Sequence, residues 1–181
     1  MLCVKILSDL CVKQKNIMAK SLDYRTGIGY DVHAFVSNRK LILGGIEIPF
    51  EKGLAGHSDA DVLLHSITDA LLGSLALGDI GQHFPDTDEK YRNSESSIFL
   101  KKAGELVRDS GYEISNIDAT ITLEKPKLVS FIPQIRERIS EILEIDSDQI
   151  SVKATTTEKL GFVGREEGIA ATAIVLIAKV K

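Results

Sequence analysis

Asp31 and His33 are separated by a single residue, Val32, in a stretch that alternates like a strand. Strand residues i and i+2 project to one face, so a carboxylate and an imidazole converge there. One Asp with two His is a common donor set for a divalent cation, and a catalytic Zn2+ takes three protein ligands with one position left open. The second imidazole has three candidates: His57, His65 and His83. His65 falls in a helical pattern with Asp61 four residues before it and Asp69 four after, on one helix face. A carboxylate beside a ligand histidine commonly fixes its tautomer. For one Asp-x-His taken alone, an ordinary strand-surface pair is the commoner explanation.

Three further segments carry polar groups at element boundaries. Gly56-His57-Ser58-Asp59 precedes the helical pattern, where free N–H groups make a natural phosphate site. An ordinary N-cap accounts for Ser58 there but not for His57. Residues 78–88 read Gly-Asp-Ile-Gly-Gln-His-Phe-Pro-Asp-Thr-Asp, which suits a solvated turn, or oxygen contacts to a cation or polyol. Lys153-Ala154-Thr155-Thr156-Thr157-Glu158-Lys159 leaves a predicted strand. It offers hydroxyls to phosphate and a carboxylate to Mg2+, although composition alone makes it a Thr-rich strand end.

The elements that must position these groups follow from periodicity. Residues 25–35 read as a strand, with Ile28, Tyr30 and Val32 on one face and Gly29, Asp31 and His33 on the other. Residues 40–43 and 46–48 read as short strands joined at Gly44-Gly45. Ser58 with Asp61 has capping-box spacing, so a helix is expected from Ser58 through Leu75, ending near Gly78. Residues 79–91 read as a polar loop. Residues 94–111 read as a second helix with Ile98, Leu100, Ala103, Leu106 and Val107 inward, and 131–145 as a third with Pro133 in its first turn. Strands are expected at 117–123, 150–154 and 168–179, and the last, small or apolar at nearly every position, reads as buried on both faces.

Composition narrows the class. The chain has 181 residues, enough for one domain with a real core. Its 22 Lys plus Arg against 26 Asp plus Glu leave a formal net charge of −4, with no Trp, so neither charge nor base stacking favours nucleic acid. No stretch is long and apolar enough for a membrane span. Cys3 and Cys11 form no CxxC pair. Residues 1–24 read as a disordered extension before a single domain at 25–181. Lys5 and Asp9 break the apolar run a secretory signal needs, and the absence of Arg before position 25 argues against a plastid transit peptide.

Taken together, the segments are far more specific. Gly29-Tyr-Asp-Val-His-Ala-Phe35, Leu43-Gly-Gly-Ile-Glu-Ile-Pro49, Gly56-His-Ser-Asp-Ala-Asp-Val62 with His65, Ala76-Leu-Gly-Asp-Ile-Gly81, Phe84-Pro-Asp-Thr-Asp88, Pro126-Lys127 and Lys153 to Phe162 resemble the 2-C-methyl-D-erythritol 2,4-cyclodiphosphate synthase family, over about residues 25 to 179. The resemblance implies an α+β fold: a mixed sheet with helices on one face, the sheets of a homotrimer facing its threefold axis and active sites lying between subunits. It implies cyclisation of 4-diphosphocytidyl-2-C-methyl-D-erythritol 2-phosphate to the 2,4-cyclodiphosphate with loss of CMP, in non-mevalonate isoprenoid biosynthesis in a bacterial-type cytoplasm.

The resemblance also implies roles. Asp31, His33 and His65 would bind Zn2+, and Glu158 a second cation, Mg2+ or Mn2+. His57 and Thr156 would stabilise the transition state. Asp31, Val32, His33, His57 and Ser58 would contact substrate, Asp79, Ile80 and Gly81 would hold the methylerythritol diol, and Phe84, Pro85, Asp86, Thr87 and Asp88 would line the same end. Leu123, Glu124, Lys125, Pro126, Lys127, Leu128 and Val129 would read cytosine, and Thr155, Thr156, Thr157 and Glu158 would face the ribose and diphosphate. Phe162, Arg165 and Glu167 would line a central trimer cavity suited to an isoprenoid diphosphate, or Arg165 and Glu167 would form ion pairs between subunits. A zinc-dependent phosphohydrolase and a non-catalytic trimeric nucleotide-binding protein are the rival readings.

Overall fold

The computed structural model describes residues 23–85, 87–91 and 93–180. The extension expected at 1–24 therefore lies outside the described residues except at Asp23 and Tyr24. Tyr24 already belongs to the fold, because it opens the first strand and pairs with Ala178.

The strands are β1 (Tyr24–Ser37), β2 (Leu41–Leu43), β3 (Ile46–Ile48), β4 (Lys52–Leu54), β5 (Tyr112–Thr122), β6 (Ile150–Thr155) and β7 (Gly168–Lys179). The helices are α1 (Val62–Ser74), a single turn α2 (Ile80–His83), α3 (Ser96–Asp109), α4 (Ile132–Leu143) and a single turn α5 (Gly161–Gly164). Five strands form one sheet in the order β4-β1-β7-β5-β6, with β5 and β6 parallel and the other pairs antiparallel; β2 and β3 form a separate hairpin. The sheet is thus mixed, as expected.

α1 lies over β1 and β7, α3 over β5 and α4 over β6. Alternation puts Ala171, Ala173, Val175 and Ile177 of β7 on the helix side, where all four are fully buried. α1 is buried nearly all round because α3 covers the side turned away from the sheet. Its approach to β1 depends on two glycines. A β-carbon on Gly27 would stand 1.9 Å from the Ala70 carbonyl oxygen, and one on Gly29 would stand 2.0 Å from that of Ser66. Without side chains there, helix backbone rests almost directly on strand backbone. Asp31 and His33, which continue that face of β1, are carried up to the start of α1.

Three local expectations are corrected. α1 does not begin at Ser58. Ala60 has φ 59, which interrupts any helix there, and Asp61 is the N-cap, accepting from the Leu63 and Leu64 N–H groups. The capping box therefore does not form, and α1 stops at Ser74, short of Gly78. In α3, Phe99 rather than Ile98 turns inward; Ile98 is 54% exposed. β7 is not covered on both faces within one chain. Ile174 is 51% exposed and, with Ile28, Tyr30 and Val32 of β1, leaves an apolar strip on the sheet face away from the helices. Among the described residues no helix is long and apolar enough to cross a membrane.

Candidate active site

The structure joins Asp31 and His33 of β1 to His65 of α1. His33 Nε2 is 3.0 Å from Asp31 Oδ2, His65 Nδ1 is 3.0 Å from the same oxygen, and the two nitrogens are 3.1 Å apart. Of the three histidine candidates, His65 completes the group. Two imidazole nitrogens facing each other across this distance repel unless a proton or a cation lies between them. Ligand atoms about 2.0 Å from a tetrahedral zinc ion are roughly 3.3 Å from one another. The donor types and the size of the triangle therefore fit a divalent cation.

The local field is arranged around that negative charge. Burial pushes the Asp31 carboxyl up, but hydrogen bonds and charge from His33 and His65 overcome it and hold the group well below the usual carboxylate range. Burial pulls His33 down, while Asp31 and a backbone hydrogen bond with Ala55 raise it overall. Neither Asp61 nor Asp69 steadies the His65 ring, although both share its helix face. Asp61 is committed to its caps and to Gly45 N–H at 2.7 Å, and Asp69 accepts from Ile80 N–H at 2.7 Å. The partner of His65 Nε2 is Ser96 Oγ, at 2.8 Å.

These groups border a cavity of about 360 Å³. His57 and Ser58 enter its rim from the loop before α1, and Arg39 holds that loop by donating to the carbonyls of Gly56 and Ser58. Ser58 is buried, and its hydroxyl accepts from Ala60 N–H. Ile80, Gly81, Phe84 and Pro85 form the opposite wall. Asp79 caps the α2 turn by accepting from Gln82 N–H, so the segment read as a plain loop is partly helical. Phe84 packs on Phe99, with ring centroids 4.7 Å apart, and edge-on against Tyr91. Asp86 lies outside the described residues; Asp88 pairs with Lys90 at the far end of that segment, beyond Thr87.

The second half of the expected site lies elsewhere in the chain. Leu123, Glu124, Pro126, Lys127, Leu128 and Val129 surround a cavity of about 200 Å³ together with Thr155 and Thr156. Lys125 instead reaches Glu166, at 3.0 Å. The Glu124 carboxylate accepts from Thr157 N–H and Lys159 N–H, while the Thr157 hydroxyl donates to the Leu160 carbonyl at 2.7 Å. Glu158 accepts from Thr156 Oγ1–H at 2.8 Å. Register places Val32, Ala170, Thr122 and Thr155 in one row across β1, β7, β5 and β6. Three strand spacings put Thr155 roughly 14 Å from Val32. The structure thus brings Asp31, His33, His57, Ser58 and His65 together, but leaves Thr156 and Glu158 apart from them within one chain. Phe162 lies on α5, and Arg165 makes a two-point ion pair with Glu167 of the same chain.

Ser96, Tyr91 and Phe99 are not among the residues the sequence singles out, and Asp59 enters there only within the Gly56-His57-Ser58-Asp59 segment, as a phosphate contact. The Ser96 and Phe99 positions, three apart on one helix face, carried the only local signal. Their partners lie far away in sequence.

The chain is similar to known proteins in both sequence and fold. A family model described as the YgbB family matches residues 24–178. The chain is 60% identical over 156 residues to a Bacillus cytotoxicus protein named 2-C-methyl-D-erythritol 2,4-cyclodiphosphate synthase, covering 86% of this chain and 99% of that one. A Bacillus mycoides protein of the same name is also 60% identical, with the same coverage. Among solved structures, the bifunctional IspDF of Campylobacter jejuni superposes with a TM-score of 0.85 at 47% identity, over 89% of this chain and 44% of that longer one. Plasmodium falciparum IspF in its CDP complex superposes with a TM-score of 0.78 at 36% identity, over 89% of this chain and 100% of that one. With a match running from the first residue of β1 almost to the end of β7, the chain belongs to the YgbB family.

Proposed function

We propose that this chain converts 4-diphosphocytidyl-2-C-methyl-D-erythritol 2-phosphate to 2-C-methyl-D-erythritol 2,4-cyclodiphosphate, releasing CMP. The observation that carries the reading is the Asp31–His33–His65 triangle opening onto a cavity walled by Ile80, Phe84 and Phe99, in a chain 60% identical to proteins bearing that synthase's name.

Asp31, His33 and His65 hold Zn2+, and Glu158 holds the second cation, Mg2+ or Mn2+. Bound there, these ions supply charge neutralisation and polarisation of phosphate oxygens. The attacking group is itself an anionic phosphate oxygen, so no general base is required, and positioning and charge do most of the work. The oxygen of the 2-phosphate forms a bond to the β-phosphorus, the bond from that phosphorus to the α-phosphate oxygen breaks, and CMP takes the electron pair away. His57, at the rim of the cavity, stabilises the attacking phosphate, and Thr156 the β-phosphate. Asp79 and Gly81 orient the diol. The apolar wall excludes water, which would otherwise attack the same phosphorus and give an open-chain bisphosphate. The segment from Leu123 to Val129 receives cytosine through its backbone groups.

We also propose a homotrimer whose active sites lie between subunits. Two supports converge: Thr156 and Glu158 lie apart from the His57 side within one chain, and the strip of Ile28, Tyr30, Val32 and Ile174 is uncovered. The threefold axis then gathers Phe162, Arg165 and Glu167 into a central cavity suited to an isoprenoid diphosphate. The chain acts in the cytoplasm.

The test is to incubate the purified protein with the diphosphocytidyl substrate and identify products by 31P NMR. The cyclic diphosphate and CMP are expected in equal amounts. His33→Ala and His65→Ala should each lose zinc and at least about 10²-fold in turnover. An open-chain bisphosphate as the main product would replace the cyclase by a hydrolase.

A further inference from the structure

We infer that Ser96 and Asp59 are positioning residues that orient His65 and fix its tautomer for the metal. The inference rests on the metal site proposed above, but its readouts do not require turnover.

His65 presents one nitrogen to Asp31 and His33, and the other to Ser96 Oγ at 2.8 Å. Ser96 is fully buried at the start of α3. Its hydroxyl donates to Asp59 Oδ1 in a very short contact, and its backbone N–H donates to Asp59 Oδ2 at 3.1 Å. A carboxylate can only accept, and a serine hydroxyl has a single proton. That proton is spent on Asp59, so Ser96 Oγ can only accept from His65. His65 Nε2 therefore carries a hydrogen, and Nδ1 keeps its lone pair for the cation. Ser58 Oγ, 3.3 Å from the same nitrogen, is a weaker second acceptor and itself accepts from Ala60 N–H.

The chain runs Asp59, Ser96, His65, metal. It ties the loop before α1 to the start of α3, and holds the imidazole at the nitrogen opposite the one that faces Asp31 and His33. The two ligand histidines are thus backed differently: His33 by the Ala55 backbone, His65 by a buried hydroxyl whose direction a carboxylate sets.

Two substitutions and one spectroscopic signature test this. Ser96→Ala removes the acceptor with little change in volume. Asp59→Asn should reverse the hydroxyl: if the amide oxygen keeps the Ser96 N–H, its NH2 faces Ser96 Oγ and the hydroxyl proton turns toward His65. The same change removes the acceptor of Asp61 N–H, now 3.2 Å from Asp59 Oδ1, which is why the serine variant is needed beside it. Zinc affinity is measured by chelator competition. Each variant should lose about 10- to 100-fold. In zinc-loaded protein labelled with 15N-histidine, the His65 Nε2 proton should be protected from water exchange, and Ser96→Ala should abolish the protection. Zinc affinity within twofold of the parent in Ser96→Ala overturns the inference. Should that variant fail to fold, the unsubstituted protein decides alone: a His65 Nε2 proton exchanging as fast as that of free histidine overturns it. A chain that shows the protected proton yet makes no cyclic product would sink the proposed function and leave this inference standing.

Discussion

Gly29 and Ser66 meet backbone to backbone, so closely that a β-carbon on Gly29 would stand 2.0 Å from the Ser66 carbonyl oxygen. Gly29 lies two residues before Asp31, and Ser66 directly follows His65. The contact therefore sets the distance between the strand ligands and the helix ligand. Gly29→Ala must push α1 away from β1, opening a triangle whose edges are 3.0 to 3.1 Å. We expect zinc affinity to fall at least tenfold and stability to drop by about 1–3 kcal/mol through overpacking. Chelator competition and thermal unfolding check both. Unchanged zinc binding would show that the helix can back away without moving His65.

Asp61 gives the fold a pH dependence opposite to that of most carboxylates. It is fully buried, and burial, followed by the charge of Asp59, raises its carboxyl to about 6 against the Gly45 and Leu64 N–H groups that favour the ion. Between about pH 4 and 6 the folded chain keeps a proton that the unfolded chain releases. The slope of stability against pH from this group is therefore negative: the contribution is full below about pH 4 and lost as pH rises through 6. Asp61→Asn removes the titration. The unfolding free energy of the parent, less that of the variant, should fall on the order of 2 to 3 kcal/mol from pH 4 to 7. A flat difference in chemical denaturation across that range would put the carboxyl back at its ordinary value.

How far sequence reached depends on whether a feature is local. Strand parity placed Asp31 and His33 on one face with Gly29, and β7 runs between its expected ends, Gly168 and Lys179. The start of α1 was misread because Ser58 and Asp61 have capping-box spacing. What breaks the helix is the left-handed backbone of Ala60, a residue type that gives no warning of it. Periodicity set Ile98 rather than Phe99 inward, a one-residue phase error on a helix that is apolar along a narrow stripe. The Asp59–Ser96–His65 chain spans 37 residues between its first two members and follows no local period.

The uncovered strip predicts the assembly. Ile28, Tyr30 and Ile174 are each more than half exposed in the single chain, and Ile28 and Ile174 are paired neighbours in the sheet. Such a patch on a sheet face needs a partner. Ile174→Asp should convert a trimer to monomers in light scattering and abolish cyclisation, while zinc stays bound, because Asp31, His33 and His65 all come from one chain. A monomeric parent protein, or a fully active monomeric variant, would refute the shared active site.

Glu124 and Glu158 carry the same charge near the same turn but should fail differently when changed. Glu158 and Lys159 both have left-handed backbones, at φ 54 and 66, a conformation costing non-glycine residues roughly 1–2 kcal/mol each. One oxygen of Glu124 holds that turn, accepting from Thr157 N–H at 3.0 Å and Lys159 N–H at 3.2 Å. Among the described residues Glu158 accepts a hydrogen bond from Thr156, and it is exposed, which leaves its charge available to a cation. Glu124→Ala should therefore release the turn: KM for the cytidyl substrate should rise about tenfold or more, and added Mg2+ should not restore it. Glu158→Gln keeps the turn but removes the charge. Turnover should fall by about 10²-fold, with a raised requirement for Mg2+ or Mn2+, as expected when an electrostatic contact to the reacting phosphates is lost. Zinc should be unchanged in both, since neither carboxylate joins the Asp31 group. His57→Ala should cost turnover with a parental metal response. Metal titrations of CMP release across the three variants separate these outcomes. If Glu158→Gln responds to Mg2+ as the parent does, the second cation is held elsewhere, and Glu158 serves only to orient Thr156.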